Sequence, residues 1–543
     1  MTRSFRYILT AALLLIISTS ISAALAGPYD PPPAYYSGAT GTGATLKGQL
    51  TTAMSAGHIQ RTYGHFRFSA EIHDADPNSP GDILLAYNRA SVDGTWDSGV
   101  TWNREHVWPQ SRQPGSASNS STGHLGDPHA LRPLNPSINS SRGNKPFGFD
   151  DTTGGFGSLG AYYFPGDTDK GDIARQLFYS DTRWGASLGL SLTDGVPSGN
   201  QMGDLSSLIA WNFLDTPDNF ELRRNHAIFS SAENPFYFTN NRSAYVDHPE
   251  FVWSVYVDQE NDSQLYVGGG PAGDGSSTVA ADLGQVIVGG AVPAPQNVTL
   301  NKNGFDGSYY EVSTTGDATS SVNGRYNAFP IIDVSTDSTV LAVGLDTTTG
   351  VAGQQTGSVV INNLDITVDG GAGRGDNDAD DTIDVSLDVL DHAEASFVGG
   401  ASQDTLLLDF GTVALGSPIP TLDFDIFNLI STASFTADLE LDSFPGSGDT
   451  TELTTDLMTF TGGSSLGAGS SNLFSASLDT SSSGAFSATY TLNFSDEDLP
   501  GATTLGDLTL NLIGTVNVPE PATAVLLLLG LVALPVRQRA ETF

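Results

Sequence analysis

Cysteine is absent from the chain. That excludes a disulfide scaffold, a thiolate zinc site and a cysteine nucleophile. It does not exclude export, because a large core can do without covalent staples. Basic residues are scarce: 22 Lys and Arg stand against 61 Asp and Glu, for a net charge of −39. A protein so acidic is no general polyanion binder over its whole surface, so any nucleic-acid chemistry must be local. Long apolar runs occur only at the two ends. What is abundant is glycine, 61 residues, together with Thr, Ser, Asp and Val, a composition that favours strands and turns. At 543 residues there is room for two or three domains.

The ends are processing segments. Residues 1–26 have a basic start at Arg3 and Arg6, an apolar run and the small residues Ala24 and Ala26. This is a secretory signal, with cleavage expected after Ala26. At 518–543, Val518-Pro519-Glu520-Pro521 is followed by an apolar run from Ala522 to Val536 and then Arg537 and Arg539. That run is shorter than the roughly 20 residues that span a bilayer. The order of features resembles a PEP-CTERM sorting signal, which implies an exosortase-type sorting protease as partner; a plain membrane anchor is the alternative. Either way the chain is expected to be exported and held at the cell envelope, cell surface or exterior.

Charge and composition shift together near residue 265. Residues 27–260 carry 15 basic and 25 acidic residues, net −10; residues 261–517 carry 3 and 34, net −31. The Gly/Ser-rich stretch 266–278 reads as a flexible linker. A first domain is therefore expected at 28–265. Two β-sandwich-like repeats follow at 279–400 and 401–516, because segments such as "DSTVLAVGL", "GSVVINNLDITVD", "TIDVSLDVL" and "FSATYTLNF" alternate apolar with polar. Gly284 and Gly411 sit in similar contexts 127 residues apart, and so do Gly357 and Gly484, as tandem copies would. The acid run at 373–388 lacks the spacing of a calcium loop and is expected to be a solvated turn. In the first domain, Leu205–Leu214 and Asp172–Tyr179 carry helical apolar spacing, and "DILLAYN" is a short strand candidate.

Chemistry concentrates in "TWNREHVWPQSR", Thr101–Arg112, and "GDPHALRPLNPSINSSRGNKPFG", Gly126–Gly148. Glu105 and His106 are adjacent. On a strand they would point to opposite faces, so they can serve one centre only at a bend or strand end, and Pro109 supplies a break. His106 is a candidate general base, and Glu105 a candidate oxygen ligand for a hard cation. Asn135, Pro136 and Gly143 suit a helix cap, first turn and end, which would present Asn139 on a short helix. Between Val100 and Lys145 there are five basic residues, Arg104, Arg112, Arg132, Arg142 and Lys145, and two acidic ones. This local positive patch suits a phosphate-bearing ligand. Trp102 and Trp108 are expected in the core.

These stretches resemble the endonuclease I family of secreted bacterial nucleases. The matching residues are Asn103, Glu105, His106, Trp108 and Pro109; Asp127, His129, Leu131 and Pro133; and Asn139, Arg142, Gly143 and Asn144. The resemblance extends over roughly Tyr35–Val255. It departs from the family in lacking cysteines and in separating "ENPF" from "VDHPE". It implies an α+β domain of the ββα-metal fold, followed here by the all-β tandem region. It also implies a metal-dependent phosphodiester hydrolase of DNA and/or RNA with little sequence preference. Glu105 and Asn139 would bind one Mg²⁺ (Ca²⁺ or Mn²⁺ as alternatives), His106 would act as base, and Asn103, Asp127 and His129 would support them. Arg104, Arg112, Arg132, Arg142 and Lys145 would hold phosphates. No obligate protein partner is evident. The competing reading is a surface or matrix adhesion protein, with an envelope or matrix polysaccharide as ligand, whose nuclease-like domain only binds.

Overall fold

The computed structural model describes residues 27–150, 153–257, 263–268, 277–331, 336–364, 378–460 and 464–519. Both end segments, 1–26 and 520–543, lie outside these residues, as does most of 266–278.

The N-terminal part is built around helices. They are α1 (Gly43–Ser55), α2 (Phe66–His73), α3 (Pro136–Arg142), α4 (Lys170–Leu188), α5 (Leu205–Leu214) and α6 (Asn219–Phe229). Helix α4 is the axis: Ile173, Ala174, Leu177, Phe178 and Trp184 are buried on it, and it packs against α1 and α5. Two short antiparallel strands, β1 (Asn103–His106) and β2 (Leu131–Leu134), pair with Glu105 opposite Arg132 and His106 opposite Leu131. Helix α3 follows β2 directly. It begins as its residues require: the Asn135 side chain accepts hydrogen bonds from the Ser137 and Ile138 amides, Pro136 occupies the first turn, and Gly143 ends the helix at φ 60°. The "DILLAYN" segment forms a strand only over Asp82–Leu84; Tyr87 and Arg89 beyond it have positive φ.

Beneath this frame is a buried ion network. Arg132 lies between Asp74, Asp169 and Asp172, Arg224 pairs with Asp74, and Arg175 binds the Glu221 carboxylate. Each buried charge has an opposite partner, without which its desolvation would cost several kcal/mol, on the order of 3–5.

The β region forms two sandwiches. The first has sheets of five and four strands, the second of four and six. In the first, Thr278–Ile287 runs parallel to Asp381–Leu390; in the second, Thr405–Ala414 runs parallel to Leu508–Asn517. The repeat is preserved to the residue in this pair. Ala280 faces Asp384 and Leu407 faces Asn511, both at an offset of 127. Each first strand has a bulge at the same place, where the Asp282 or Asp409 carboxylate accepts from the amide of Gly284 or Gly411. The neighbouring antiparallel strands are offset by 131 instead: Val359 faces Ile383 and Tyr490 faces Leu510. Gly357 and Gly484 are thus on equivalent strands but not at equivalent registers.

Four expectations require correction. Gln264–Val267 already pairs with Gln296–Asn303 in the first sandwich, so the first domain ends before Gln264 rather than at 265. Ala393, Ala395 and Phe397 belong to the second sandwich core, so its start precedes 401. The first sandwich is also not a free appendage. Tyr309 and Leu364 are part of the same apolar core as α1, α4 and α5, Tyr309 donates to the Asn212 carbonyl, and Arg325 pairs with Glu250. Within the acid run, Asp378 is buried and accepts from the Leu265 amide and Asn363; it ties strands together rather than facing solvent.

Candidate active site

A pocket of about 360 Å³ opens between β1 and α3, lined by Arg104, Glu105, His106, Gln110, Asn139 and Arg142, among others. His106 is the last residue of β1. The break after it lets two adjacent side chains, which a continuing strand would send to opposite faces, line one cavity. Asn103 shares the Glu105 face of β1 by the two-residue period, and Asn139 Nδ2 donates to Asn103 Oδ1 at 2.8 Å. That bond ties α3 to the strand and leaves Asn139 Oδ1 without a hydrogen-bond partner among the described residues.

Glu105 is buried. Its Oε1 accepts from Tyr87 Oη at 2.9 Å and lies 2.8 Å from an Arg142 amino group. Burial raises its pKa, opposed by the Arg142 charge and the Tyr87 bond. Its Oε2 has no partner among the described residues. His106 is buried too, and burial pushes its pKa down to about 4, so it is a neutral imidazole at pH 7. Its Nε2 lies 3.0 Å from the Leu125 carbonyl. A carbonyl can only accept, so the proton is on Nε2 and Nδ1 is the basic nitrogen. The Gln110 amide reaches Nδ1 at 3.2 Å. The Tyr63 ring stacks on the imidazole, centroids 4.9 Å apart and 25° between planes.

The other expected site residues divide. Arg104 lines the pocket, half-buried over the Tyr63 ring. Arg112 is spent on the carbonyls of Asn144 and Pro197, and Lys145 on that of Ser141. Arg132 and Arg142 are completely buried, which corrects their assignment to phosphate. Arg132 neutralises the acids under the frame. Arg142 pairs with Glu105 and donates to the His106 and Val107 carbonyls. Among the described residues Asp127 and His129 make no hydrogen bond or ion pair with Glu105, His106 or Asn139. Asp127 accepts from Tyr179 and Trp184, and His129 bonds the Asn241 carbonyl. They anchor the turn next to Leu125, whose carbonyl meets His106 Nε2. Trp102 and Trp108 are core residues.

Sequence reasoning missed Tyr63, Tyr87, Gln110 and the Leu125 carbonyl. Tyr87 acts from a left-handed backbone position at φ 68°, which costs on the order of 1–3 kcal/mol and is tolerated where surroundings fix it. Here the Asp169 carboxylate holds its amide.

The donor set suits a hard cation. Two free oxygens, from a carboxylate and a carboxamide, face a polar pocket without thiolates, and among the described residues no three His, Asp or Glu side chains form a metal cluster. Two protein oxygens with water filling the remainder is the pattern of Mg²⁺-type sites.

A family model described as Endonuclease I matches residues 40–250. An extracellular ribonuclease of Bacillus subtilis is 34% identical over 248 residues, covering 43% of this chain and 82% of that protein. An extracellular ribonuclease of Bacillus amyloliquefaciens is 33% identical over 250 residues with the same coverage. The fold places a nuclease-type domain ahead of an all-β region, and the chain belongs to the endonuclease I family.

Proposed function

We propose that the protein is an exported, metal-dependent endonuclease that hydrolyses phosphodiester bonds of DNA, RNA or both at the β1–α3 pocket. The observation that carries this is the state of His106: a neutral imidazole whose Nε2–H is held by a carbonyl, leaving basic Nδ1 beside two free oxygen donors. Two paired strands followed directly by a short helix, β1, β2 and α3, support reading this as a ββα-metal site. Glu105 and Asn139 would hold the cation, which would supply charge stabilisation at the phosphate. His106 Nδ1 accepts the proton of the attacking water, after the Gln110 amide yields its place. The Leu125 carbonyl stabilises the imidazolium that results. Asn103 orients the Asn139 carboxamide, and Tyr87 and Arg142 fix the Glu105 carboxylate with one oxygen free. Arg104, whose guanidinium has no carboxylate partner among the described residues, holds a flanking phosphate. The sequence motifs of a sorting signal and the extracellular relatives support export.

The test uses the mature chain with plasmid DNA and with RNA, in Mg²⁺ or in chelator. Cleavage that needs the metal and falls in His106→Ala is expected. Undiminished cleavage by that variant would sink the mechanism, and tight binding without cleavage would favour the adhesion reading.

A further inference from the structure

A strip of exposed rings and unneutralised arginines leaves the pocket on the side of Tyr63. Phe68 is 47% and Phe236 76% exposed. Between them the Tyr237 ring lies 6.2 Å from Phe68, nearly parallel at 23°, 6.4 Å from Phe236 and 5.3 Å from His65. Arg67 sits over the Phe68 ring at 5.2 Å and Arg104 over the Tyr63 ring at 3.6 Å. The buried arginines Arg132, Arg142, Arg175, Arg224 and Arg242 each pair with a carboxylate. Arg61, Arg67 and Arg104 have none within 4 Å among the described residues. Their fields overlap: burial and then the charges of Arg61 and Arg67 hold the His65 imidazole below its usual pKa.

The strip is continuous with the pocket. Tyr63, which stacks on His106, is followed by Gly64, whose amide donates to the Asn119 carbonyl and whose own carbonyl accepts from Arg67 Nε at 2.9 Å. A Cβ at Gly64 would lie 2.6 Å from that Asn119 oxygen, so the 61–68 segment is pressed against Asn119, whose side chain accepts from Arg104 of the pocket lining. Phe68 and Phe236 do not stand singly but flank Tyr237 in one cluster of rings, and it is contiguous apolar exposure, rather than isolated residues, that interaction surfaces carry.

We propose that this strip is a binding track for single-stranded polynucleotide, with unpaired bases on Phe68, Tyr237 and Phe236 and phosphates on Arg67, Arg61 and Arg104. It rests on the nuclease reading of the pocket. Its chemistry selects single strands because ring faces stack only on bases free of a duplex, whatever their identity, while arginines follow the backbone. A duplex would engage the cations and leave the rings unused.

The test measures binding by the full mature chain in EDTA, by anisotropy of a labelled unstructured 12-mer and of a hairpin duplex of matching composition. The Phe68→Ala/Phe236→Ala double variant is expected to weaken the single strand tenfold or more and the duplex less than about twofold, stacking being the larger contribution per base. Phe68→Trp restores binding. Arg67→Ala lowers the slope of log Kd against log salt by about 0.7. Equal losses on both forms, no loss on the single strand, or no binding by the wild type would overturn the track. Cleavage of the same strands with Mg²⁺ restored tests the catalytic reading separately, so a failure of one is not mistaken for a failure of the other.

Discussion

The nuclease domain depends on a residue of the β region for part of its core, and Tyr309→Ala measures how much. Tyr309 is 1% exposed, its ring is 5.2 Å from Phe213, and its hydroxyl donates to the Asn212 carbonyl at the end of α5. Truncating a buried aromatic costs about 3–5 kcal/mol. At about 2–4 °C per kcal/mol for a domain of this size, melting should fall by roughly 6–20 °C. Tyr309→Phe keeps the ring and loses one hydrogen bond, about 0.5–1.5 kcal/mol. The assay is thermal unfolding followed by tryptophan fluorescence, since Trp211 is on the same helix and Trp253 packs on Phe213. A fragment 27–257 should show the same loss or larger. If Tyr309→Ala and the fragment both melt within about 2 °C of the full chain, the shared core contributes nothing and the sandwich is only tethered.

His106→Asn should lower kcat on nucleic acid about 10²- to 10⁴-fold with an unchanged melting curve, read by initial rates at saturating substrate. Arg142→Ala should cost about 3–5 kcal/mol in a urea titration, because Glu105 is then buried without its partner; a change confined to the salt slope of binding would instead make Arg142 a phosphate ligand. Burial holds His129 at about 4 and lowers His73 as well. Unfolded histidines protonate near 6.5, so the unfolded state binds more protons below that pH. As the pH falls from about 6.5 stability should therefore fall, the share of His129 ending near pH 4; urea midpoints that rise as the pH is lowered would refute the assignment. Tyr87→Phe should raise KM for the divalent cation more than it lowers kcat at saturating metal, as a lost orienting bond to Glu105 requires.

Sequence patterns foretold what is periodic or locally capped. The two-residue alternation gave the sandwich strands, and 127-residue spacing marked the paired strands that share a bulge. The cap at Asn135 and the end at Gly143 located α3 to the residue, so Asn139 was legible. Glu105, His106 and Asn139 do line one pocket. What failed was charge: five cations in one stretch look alike in a string, yet Arg132 is surrounded by Asp74, Asp169 and Asp172, each from a distant segment. Nor does a string reveal a carbonyl such as that of Leu125, which any residue could supply. The attachment of the first sandwich was equally illegible, because Tyr309 and Arg325, which fasten it, lie far along the chain from their partners.

The parallel pairs have a mechanical consequence. In each sandwich the opening long strand and the closing one lie side by side in the same direction, Thr278–Ile287 with Asp381–Leu390 and Thr405–Ala414 with Leu508–Asn517. Tension along the chain pulls these neighbours in opposite senses along their length. The hydrogen bonds between them are then sheared together rather than peeled one after another. Both modules, which follow one another along the chain, carry such a sheared pair.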